Sequence, residues 1–144
     1  MRTLFDTSFI TACMIEAHPM HERALPWFQQ AKENQFELIV ASHTIAELYA
    51  VLTAAATVPR ISPQVAQKLI HENIETVAGI MSLTPKEYLL TIKQISETEI
   101  RGDRIFYAIT AKIAEKAQVE RLMTLNSTDY KRIGFLEPKN LFVP

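Results

Sequence analysis

Two apolar runs that end in polar side chains decide the fold of this chain: Leu4-Phe5-Asp6-Thr7-Ser8 near its start, and Leu122-Met123-Thr124-Leu125-Asn126-Ser127-Thr128-Asp129 near its end. A short apolar run bounded by polar residues is typical of a buried strand. In a parallel sheet, the side chains that follow such strands meet in the crevice where α/β folds bind ligands. The two segments therefore predict one shared polar site at the carboxyl edge of a sheet.

Helical and extended patterns alternate along the rest of the chain. Helices are predicted over residues 7–14, 21–32, 43 to about 56, 62–73, 85 to about 95 and 103–117, and strands over 3–5, 36–40, 76–78 and 121–125. Thr7 or Ser8 is expected to cap the first helix, Ser42 the third, and Thr84 the fifth through a capping box. This alternation predicts a single α/β domain over residues 1–144, with a mostly parallel central sheet.

The composition excludes several classes of function. Lys and Arg total 15 against 16 Asp and Glu, so no global positive field attracts nucleic acid, and any such contact must be local or metal-mediated. The single Cys13 excludes an internal disulfide and a multi-cysteine zinc site, and it fits a cytoplasmic location. The uncharged stretch 48–59 has 12 residues, fewer than the roughly 20 that span a membrane, so no membrane partner is expected.

Glycine and nucleophile patterns exclude further enzyme classes. Only Gly79, Gly102 and Gly134 occur, so neither a Walker-type phosphate loop nor a dinucleotide fingerprint can form. No serine is flanked by glycines, and the one cysteine lies among apolar residues, so the usual hydrolase triads lack support. The remaining candidates for chemistry are acids.

Of four candidate acids, three follow predicted strands or begin a predicted helix, and each has a structural alternative. Asp6 ends the first strand, where an aspartate also serves as a helix N-cap. Asp103 follows Gly102 at a helix start, where an aspartate also serves as a cap. Asp129 and Asn126 follow the late strand, in a composition that is also ordinary for a surface turn.

Glu47 is the fourth acid and the most isolated one. It is the only formal charge between Ala41 and Pro59, and on a helix it shares a face with His43, Ala50 and Ala54. A solvent-facing helix surface is the alternative, but such surfaces usually carry several charges. A lone acid among small residues favours a site with room for a metal and a substrate.

The predicted site is built from oxygen ligands. His18 and His21 have Pro19 between them and no further His or Cys nearby, so we interpret them as exposed loop residues and not as a metal pair. Carboxylates suit Mg²⁺ or Mn²⁺, which bind proteins through a few carboxylates, waters and substrate phosphates. A metal-bound water can attack a phosphodiester. The acids therefore predict metal-dependent phosphodiester hydrolysis.

Taken together, four blocks of sequence resemble PIN domains, in particular the VapC-like toxin nucleases of bacterial toxin–antitoxin pairs. The blocks are residues 4–8, 41–48, 101–116 and 122–130. The resemblance implies a three-layer α/β fold around a central parallel sheet, an Mg²⁺-dependent or Mn²⁺-dependent endoribonuclease, a homodimer, and a small cognate antitoxin as partner. From the residues and the resemblance together, we expect these metal ligands and catalytic residues: Asp6, Glu47, Asp103 and Asp129. Substrate binding is expected from Thr7 and Asn126, and from Arg104 unless its charge is merely solvated.

Tyr107 departs from the resemblance, because the family usually has an acid just before the alanine that is Ala108 here. Asp103 lies four residues earlier, on the same face of the predicted helix and about 6 Å along its axis. It can complete the acid set, whereas the Tyr107 ring can fill part of the pocket and weaken metal binding. Two alternatives stay open: a catalytically degenerate PIN module that binds RNA or protein without cleavage, and an α/β protein whose acids only cap helices.

Overall fold

The computed structural model describes residues 1–134 and 141–144, and within them five parallel strands form one sheet. The strand order is β3-β2-β1-β4-β5, and every neighbouring pair is parallel. The strands are β1 (Arg2–Phe5), β2 (Glu37–Ala41), β3 (Gly79–Met81), β4 (Arg121–Met123) and β5 (Leu141–Phe142). The predicted α/β fold class is confirmed. A single domain over residues 1–144 remains a prediction, since residues 135–140 lie outside the described part.

Helices connect the strands and are mostly longer than them. They are α1 (Thr7–Met14), α2 (His21–Lys32), α3 (Ser42–Ala54), α4 (Pro63–Ile70), α5 (Pro85–Ile95), α6 (Ile105–Lys116) and α7 (Ser127–Ile133). A π-helical turn (His71–Glu75) prolongs α4, and a 3-10 turn (Gly102–Arg104) precedes α6. None of the helices described by the structure has the length and apolar character needed to cross a bilayer.

Alternation of side chains along the buried strands divides the interior into two cores. Phe5 of β1 packs in one core with residues of α1, α2 and α3, whereas the preceding Leu4 packs in the other core with residues of α6. Leu122 and Met123 of β4 divide in the same way. Successive strand residues point to opposite faces, so an uninterrupted apolar strand requires helices on both sides. The result is the three-layer arrangement that the resemblance implied.

Some predicted helix and strand boundaries are wrong for local reasons. Asp6, and neither Thr7 nor Ser8, caps α1, and Ser42 is the first residue of α3, whose start has no side-chain cap. The strand predicted over 76–78 lies at Gly79–Met81, because the π-helical turn continues the helix to residue 75. The capping box of Thr84 with Glu87 is confirmed.

The late part of the chain also differs from the prediction. The helix predicted from Asp103 begins at Ile105, and Asp103 lies in the 3-10 turn without capping α6. Helix α7 occupies the segment whose composition is also ordinary for a surface turn, and neither α7 nor the two-residue strand β5 was predicted. Strand β5 is formed by its pairing with β4, and no local sequence pattern predicts that pairing.

Candidate active site

A cavity of about 570 Å³ opens at the carboxyl edge of the sheet, where β1 lies between β2 and β4. All seven predicted site residues line it: Asp6, Thr7, Glu47, Asp103, Arg104, Asn126 and Asp129. The connections from β1 and β4 leave the sheet on either side of this point, which is the topological position where open α/β sheets bind ligands. We call this space the acid cavity.

Asp6 is the most firmly held of the four acids. Its Oδ1 accepts hydrogen bonds from the backbone N–H of Phe9 (3.0 Å) and the hydroxyl of Ser8 (2.7 Å). Its Oδ2 accepts from the hydroxyls of Thr124 (2.6 Å) and Tyr130 (2.9 Å). Burial raises the pKa of this carboxyl, and the four donors oppose that rise. Asp6 is therefore both a helix cap and a fixed, buried acid of the cavity.

Glu47 is held by α1 across the cavity. The Thr7 hydroxyl donates to Oε1 of Glu47 (3.1 Å) and lies 3.1 Å from the hydroxyl of Thr44. Burial raises the pKa of Glu47, the Thr7 hydrogen bond lowers it, and the charges of Asp6 and Asp103 raise it further. These charges act on one another, so the predicted acids share one electrostatic environment.

His43 lies one helical turn before Glu47, on the face that the sequence predicted. Its Nε2 is 3.5 Å from Oε1 of Glu47 and 3.1 Å from the hydroxyl of Thr110. The Thr110 hydroxyl donates to the carbonyl of Phe106 (2.7 Å), so its oxygen can only accept from His43, and the proton of the neutral ring is on Nε2. Burial lowers the pKa of His43 to about 4, so the ring is neutral at physiological pH.

The other two acids are not held by other side chains. Asp103 is exposed and Asp129 is half-buried. Within residues 1–134 and 141–144, neither carboxylate makes a hydrogen bond or an ion pair, and the same holds for the Asn126 amide and the Arg104 guanidinium. These groups are therefore free to turn towards a ligand in the acid cavity.

Tyr107 stands among the four acids. Burial raises the pKa of its hydroxyl, and the charges of Asp129, Asp6, Asp103 and Glu47 raise it further. Its ring meets the Tyr130 ring edge-on, with 5.1 Å between centroids. Tyr107 therefore takes up part of the acid cavity, at the place where the sequence resemblance leads one to expect a further carboxylate.

Comparison with known protein families matches residues 3–135 to the PIN domain. The chain belongs to the PIN domain family. It is 26% identical over 132 residues to "Ribonuclease VapC27" of Mycobacterium tuberculosis, with 90% of each chain covered. This confirms the resemblance drawn from the four sequence blocks.

Two solved structures share the fold of this PIN domain. VapC20 of Mycobacterium tuberculosis, a "Sarcin-Ricin loop cleaving toxin", has a TM-score of 0.71 and 16% identity, over 94% of this chain and 97% of that one. VapBC2 of Rickettsia felis, "bound to a DNA fragment from their promoter", has a TM-score of 0.64 and 17% identity, over 100% of this chain and 99% of that one.

The acids of this PIN domain surround the cavity without closing on one point. In the described part of the chain, no three His, Cys, Asp or Glu side chains are grouped as a formed metal site. The donor set itself consists of carboxylate and amide oxygens, which suits Mg²⁺ or Mn²⁺.

Several groups that shape the site escaped the sequence analysis. The hydroxyls that donate to Asp6 belong to Ser8 of α1, Thr124 at the end of β4 and Tyr130 of α7. Of these contacts, only that of Thr124 had a signal in the sequence, at the boundary between apolar and polar residues that ends the late strand. His18 also lines the acid cavity and is half-buried, contrary to its interpretation as an exposed loop residue. Its Nδ1 accepts from the N–H of Met20 (3.0 Å), which ties it to its own turn.

Proposed function

We propose that this PIN domain is an Mg²⁺-dependent or Mn²⁺-dependent endoribonuclease and the toxin of a type II toxin–antitoxin pair. The observation that carries the proposal is the acid cavity itself. Asp6, Glu47, Asp103 and Asp129 come from separate segments of the chain and line one space, in a family whose relative here is a ribonuclease. Helix capping explains Asp6 alone, so capping does not account for the set.

These four acids would hold the divalent cation. When bound, such a cation neutralises the substrate phosphate and lowers the pKa of a water molecule, which supplies the nucleophile. Burial raises the pKa of Asp6, and burial together with the charges of Asp6 and Asp103 raises the pKa of Glu47; a bound cation would favour the charged form of both carboxyl groups. A net charge of −1 then presents no obstacle to a polyanionic substrate.

The residues of this chain have distinct parts in the proposed reaction. Thr7 fixes Oε1 of Glu47 and leaves Oε2 for a ligand. Asn126 and Arg104 have free donor groups in the acid cavity, and an amide and a guanidinium are suited to a phosphate oxygen. We assign Thr7 to orienting Glu47, and Asn126 and Arg104 to holding the phosphate.

The proposed partners are an RNA substrate, a cognate antitoxin and a second copy of the chain, in the cytoplasm and with no membrane role. The Rickettsia felis structure, in which VapBC2 is bound to a DNA fragment from its promoter, supports an antitoxin partner. The single buried Cys13 supports a reducing location. Co-purification of the chain with the product of a neighbouring small gene, followed by light scattering, tests both protein partners.

Cleavage of RNA by the purified, antitoxin-free chain tests the proposed activity. Structured and unstructured RNAs are incubated with Mg²⁺ or Mn²⁺, and the products are compared with those of Asp6→Asn and of Glu72→Gln, an exposed acid on the π-helical turn. We expect discrete products from the parent and from Glu72→Gln, and none from Asp6→Asn or with a chelator. Equal cleavage by parent and Asp6→Asn would contradict the proposal.

The degenerate alternative rests on Tyr107, and the comparisons give it no support. If the chain had lost activity through this residue, Tyr107→Asp would restore a missing ligand and increase cleavage greatly. We expect no gain, because a fifth carboxylate among four others adds repulsion that a single cation must overcome. A large gain from a nearly inactive parent would replace our proposal with the degenerate module.

A further inference from the structure

A second cavity of about 240 Å³ adjoins the acid cavity and shares Arg104 and Asp129 with it. We call it the side cavity. Ile100, Arg132 and Ile133 also line the side cavity. Because two lining residues are common to both cavities, an extended substrate that lies in the acid cavity can continue past Arg104 into the side cavity.

The floor of the side cavity is apolar and firmly packed. Ile133 of α7 is 8% exposed and forms a small core with Ile95 and Ala108, and Ile100 packs against the same core. Apolar side chains at the base of an open cavity favour a flat, weakly hydrated group over a charged one. A phosphate alone would not need such a floor.

Two other polar residues of the side cavity already have partners. The Thr98 hydroxyl donates to the carbonyl of Ile95 (2.6 Å) and accepts from the N–H of Ile100 (3.2 Å). Glu99 lies in solvent and pairs with Arg101 at 3.6 Å. The free polar groups of the side cavity are therefore those of Arg104, Arg132 and Asp129.

Arg104 and Arg132 are exposed, and their guanidinium groups make no ion pair or hydrogen bond within residues 1–134 and 141–144. They approach the side cavity from α7 and from the 3-10 turn, so both guanidinium groups border one space. A guanidinium binds a phosphate through two parallel hydrogen bonds and also stacks on a nucleobase. An apolar floor between two such groups combines the features that hold one nucleotide.

We propose that the side cavity binds an unpaired nucleotide of the RNA, adjacent to the phosphate that lies in the acid cavity. This inference rests on the proposed function and names the part of the substrate that the side cavity takes. The base lies on Ile100 and Ile133, and its phosphate is held by Arg104 and Arg132. A base stacked inside a duplex cannot enter such a space, so the substrate is single-stranded at this position.

RNA binding by non-cleaving protein tests the side cavity separately from the chemistry. In the Asp6→Asn background, fluorescence anisotropy compares Arg132→Ala and Ile100→Ala with the control Lys131→Ala, whose exposed lysine neighbours Arg132 and lines neither cavity. The probes are labelled single-stranded RNA homopolymers of each base and an abasic ribose-phosphate oligomer of the same length. Circular dichroism confirms that each variant is folded.

Each substitution has its own expected signature. Arg132→Ala weakens binding of RNA and of the abasic oligomer by about tenfold and lowers the slope of log affinity against log salt by about 0.7, as for one lost phosphate contact on a single strand. Ile100→Ala weakens binding of RNA severalfold but leaves the abasic oligomer unchanged, because only a base touches the floor. Lys131→Ala changes neither by more than about twofold.

The outcomes separate this inference from the proposed function. If RNA binds but Arg132→Ala matches Lys131→Ala, or if Ile100→Ala weakens both probes equally, the side cavity holds no nucleotide and the nuclease proposal stands. If the Asp6→Asn protein binds no probe and the parent cleaves no RNA, both proposals fall. Where the parent cleaves, an increase in KM with unchanged kcat for Arg132→Ala gives a second confirmation.

Discussion

The two halves of the acid cavity are built in opposite ways. On the side of the sheet, Asp6 is 4% exposed and accepts four hydrogen bonds. On the side of the 3-10 turn, Asp103 is exposed, and its carboxylate has no hydrogen bond or ion pair within the described residues. One acid is fixed before any ligand arrives, whereas the other can adjust to it.

This difference indicates a division of labour. Fixed groups at a strand end define where a cation and a phosphate meet, since an arrangement formed in advance loses little entropy on binding. Free groups on a turn complete the site only when a ligand is present. Substitutions in the buried half should therefore reduce cleavage more than substitutions in the exposed half.

The largest effect is expected from Asp6→Asn in the buried half. It removes a charge that no neighbour can replace, so cleavage falls by about a thousandfold or more. Single-turnover assays with saturating Mn²⁺ measure the loss. A decrease of less than tenfold would mean that the fixed acid does not define the site.

The same variant should stabilise the protein without metal. The folded-state pKa of Asp6 is raised, so the stability contributed by its neutral form is present below the ordinary pKa and lost as pH rises through the raised one. An asparagine is neutral at every pH, and its amide can donate to the hydroxyl oxygens of Thr124 and Tyr130. The melting temperature in a chelator at neutral pH should therefore rise, and a lower one would contradict the burial argument.

His43, which contacts Glu47 of the acid cavity, makes the free energy of unfolding of the protein depend on pH. Its pKa is 6.5 ordinarily and about 4 in the folded protein, so the unfolded chain takes up a proton first as pH falls. Stability is then lost between pH 6.5 and about 4, by on the order of 3 kcal/mol. Urea unfolding across this range should show the loss in the parent and a smaller one in His43→Gln. Equal pH dependence in both would show that another group is responsible.

Asp103→Asn tests the exposed half, and its loss of cleavage can be compared with that of Asp6→Asn. Because Asp103 is free and solvated, its loss should reduce cleavage by about tenfold, and a higher Mn²⁺ concentration should restore most of the rate. Titration of the rate with Mn²⁺ distinguishes weaker metal binding from lost chemistry. A loss as large as that of Asp6→Asn, not recovered by metal, would remove the distinction between the two halves.

The smallest effect is expected from Tyr130→Phe. The Tyr130 hydroxyl takes one lone-pair position on Oδ2 of Asp6 and borders the acid cavity, so it competes with a cation for that oxygen. Its removal should cost about 1 kcal/mol of metal-free stability and strengthen Mn²⁺ binding severalfold. Denaturant unfolding and calorimetry measure the two changes. Weaker Mn²⁺ binding would instead assign the hydroxyl to orienting Asp6 for the metal.

Local sequence patterns predicted those parts of the site whose position depends directly on the sheet. An apolar run followed by an acid predicted β1 and the position of Asp6, and the isolation of Glu47 predicted its place on α3 beside His43. Both inferences depend only on strand and helix periodicity, together with the rule that parallel strands end at one edge. The same rule predicted one shared site, and all the predicted site residues do line one cavity.

Features that depend on distant contacts could not be predicted. Tyr130 reaches Asp6 across 124 positions of sequence, and its segment had the composition of a turn although it forms α7. Strand β5 depends on β4 for its hydrogen bonds. Asp103 lies in a tighter turn because Gly102 takes a positive φ of 59°, so the regular helix begins only at Ile105.

Binding of Mn²⁺ measured by isothermal titration calorimetry tests most directly whether the acids of the two halves form one metal site. We expect saturable binding by the parent and by Glu72→Gln, and binding weakened about tenfold or more in both Asp6→Asn and Asp129→Asn. Asp6 represents the acids that other side chains hold and Asp129 the acids that they do not, so both must contribute. No saturable binding by the parent, or binding unchanged by either substitution, would contradict the account.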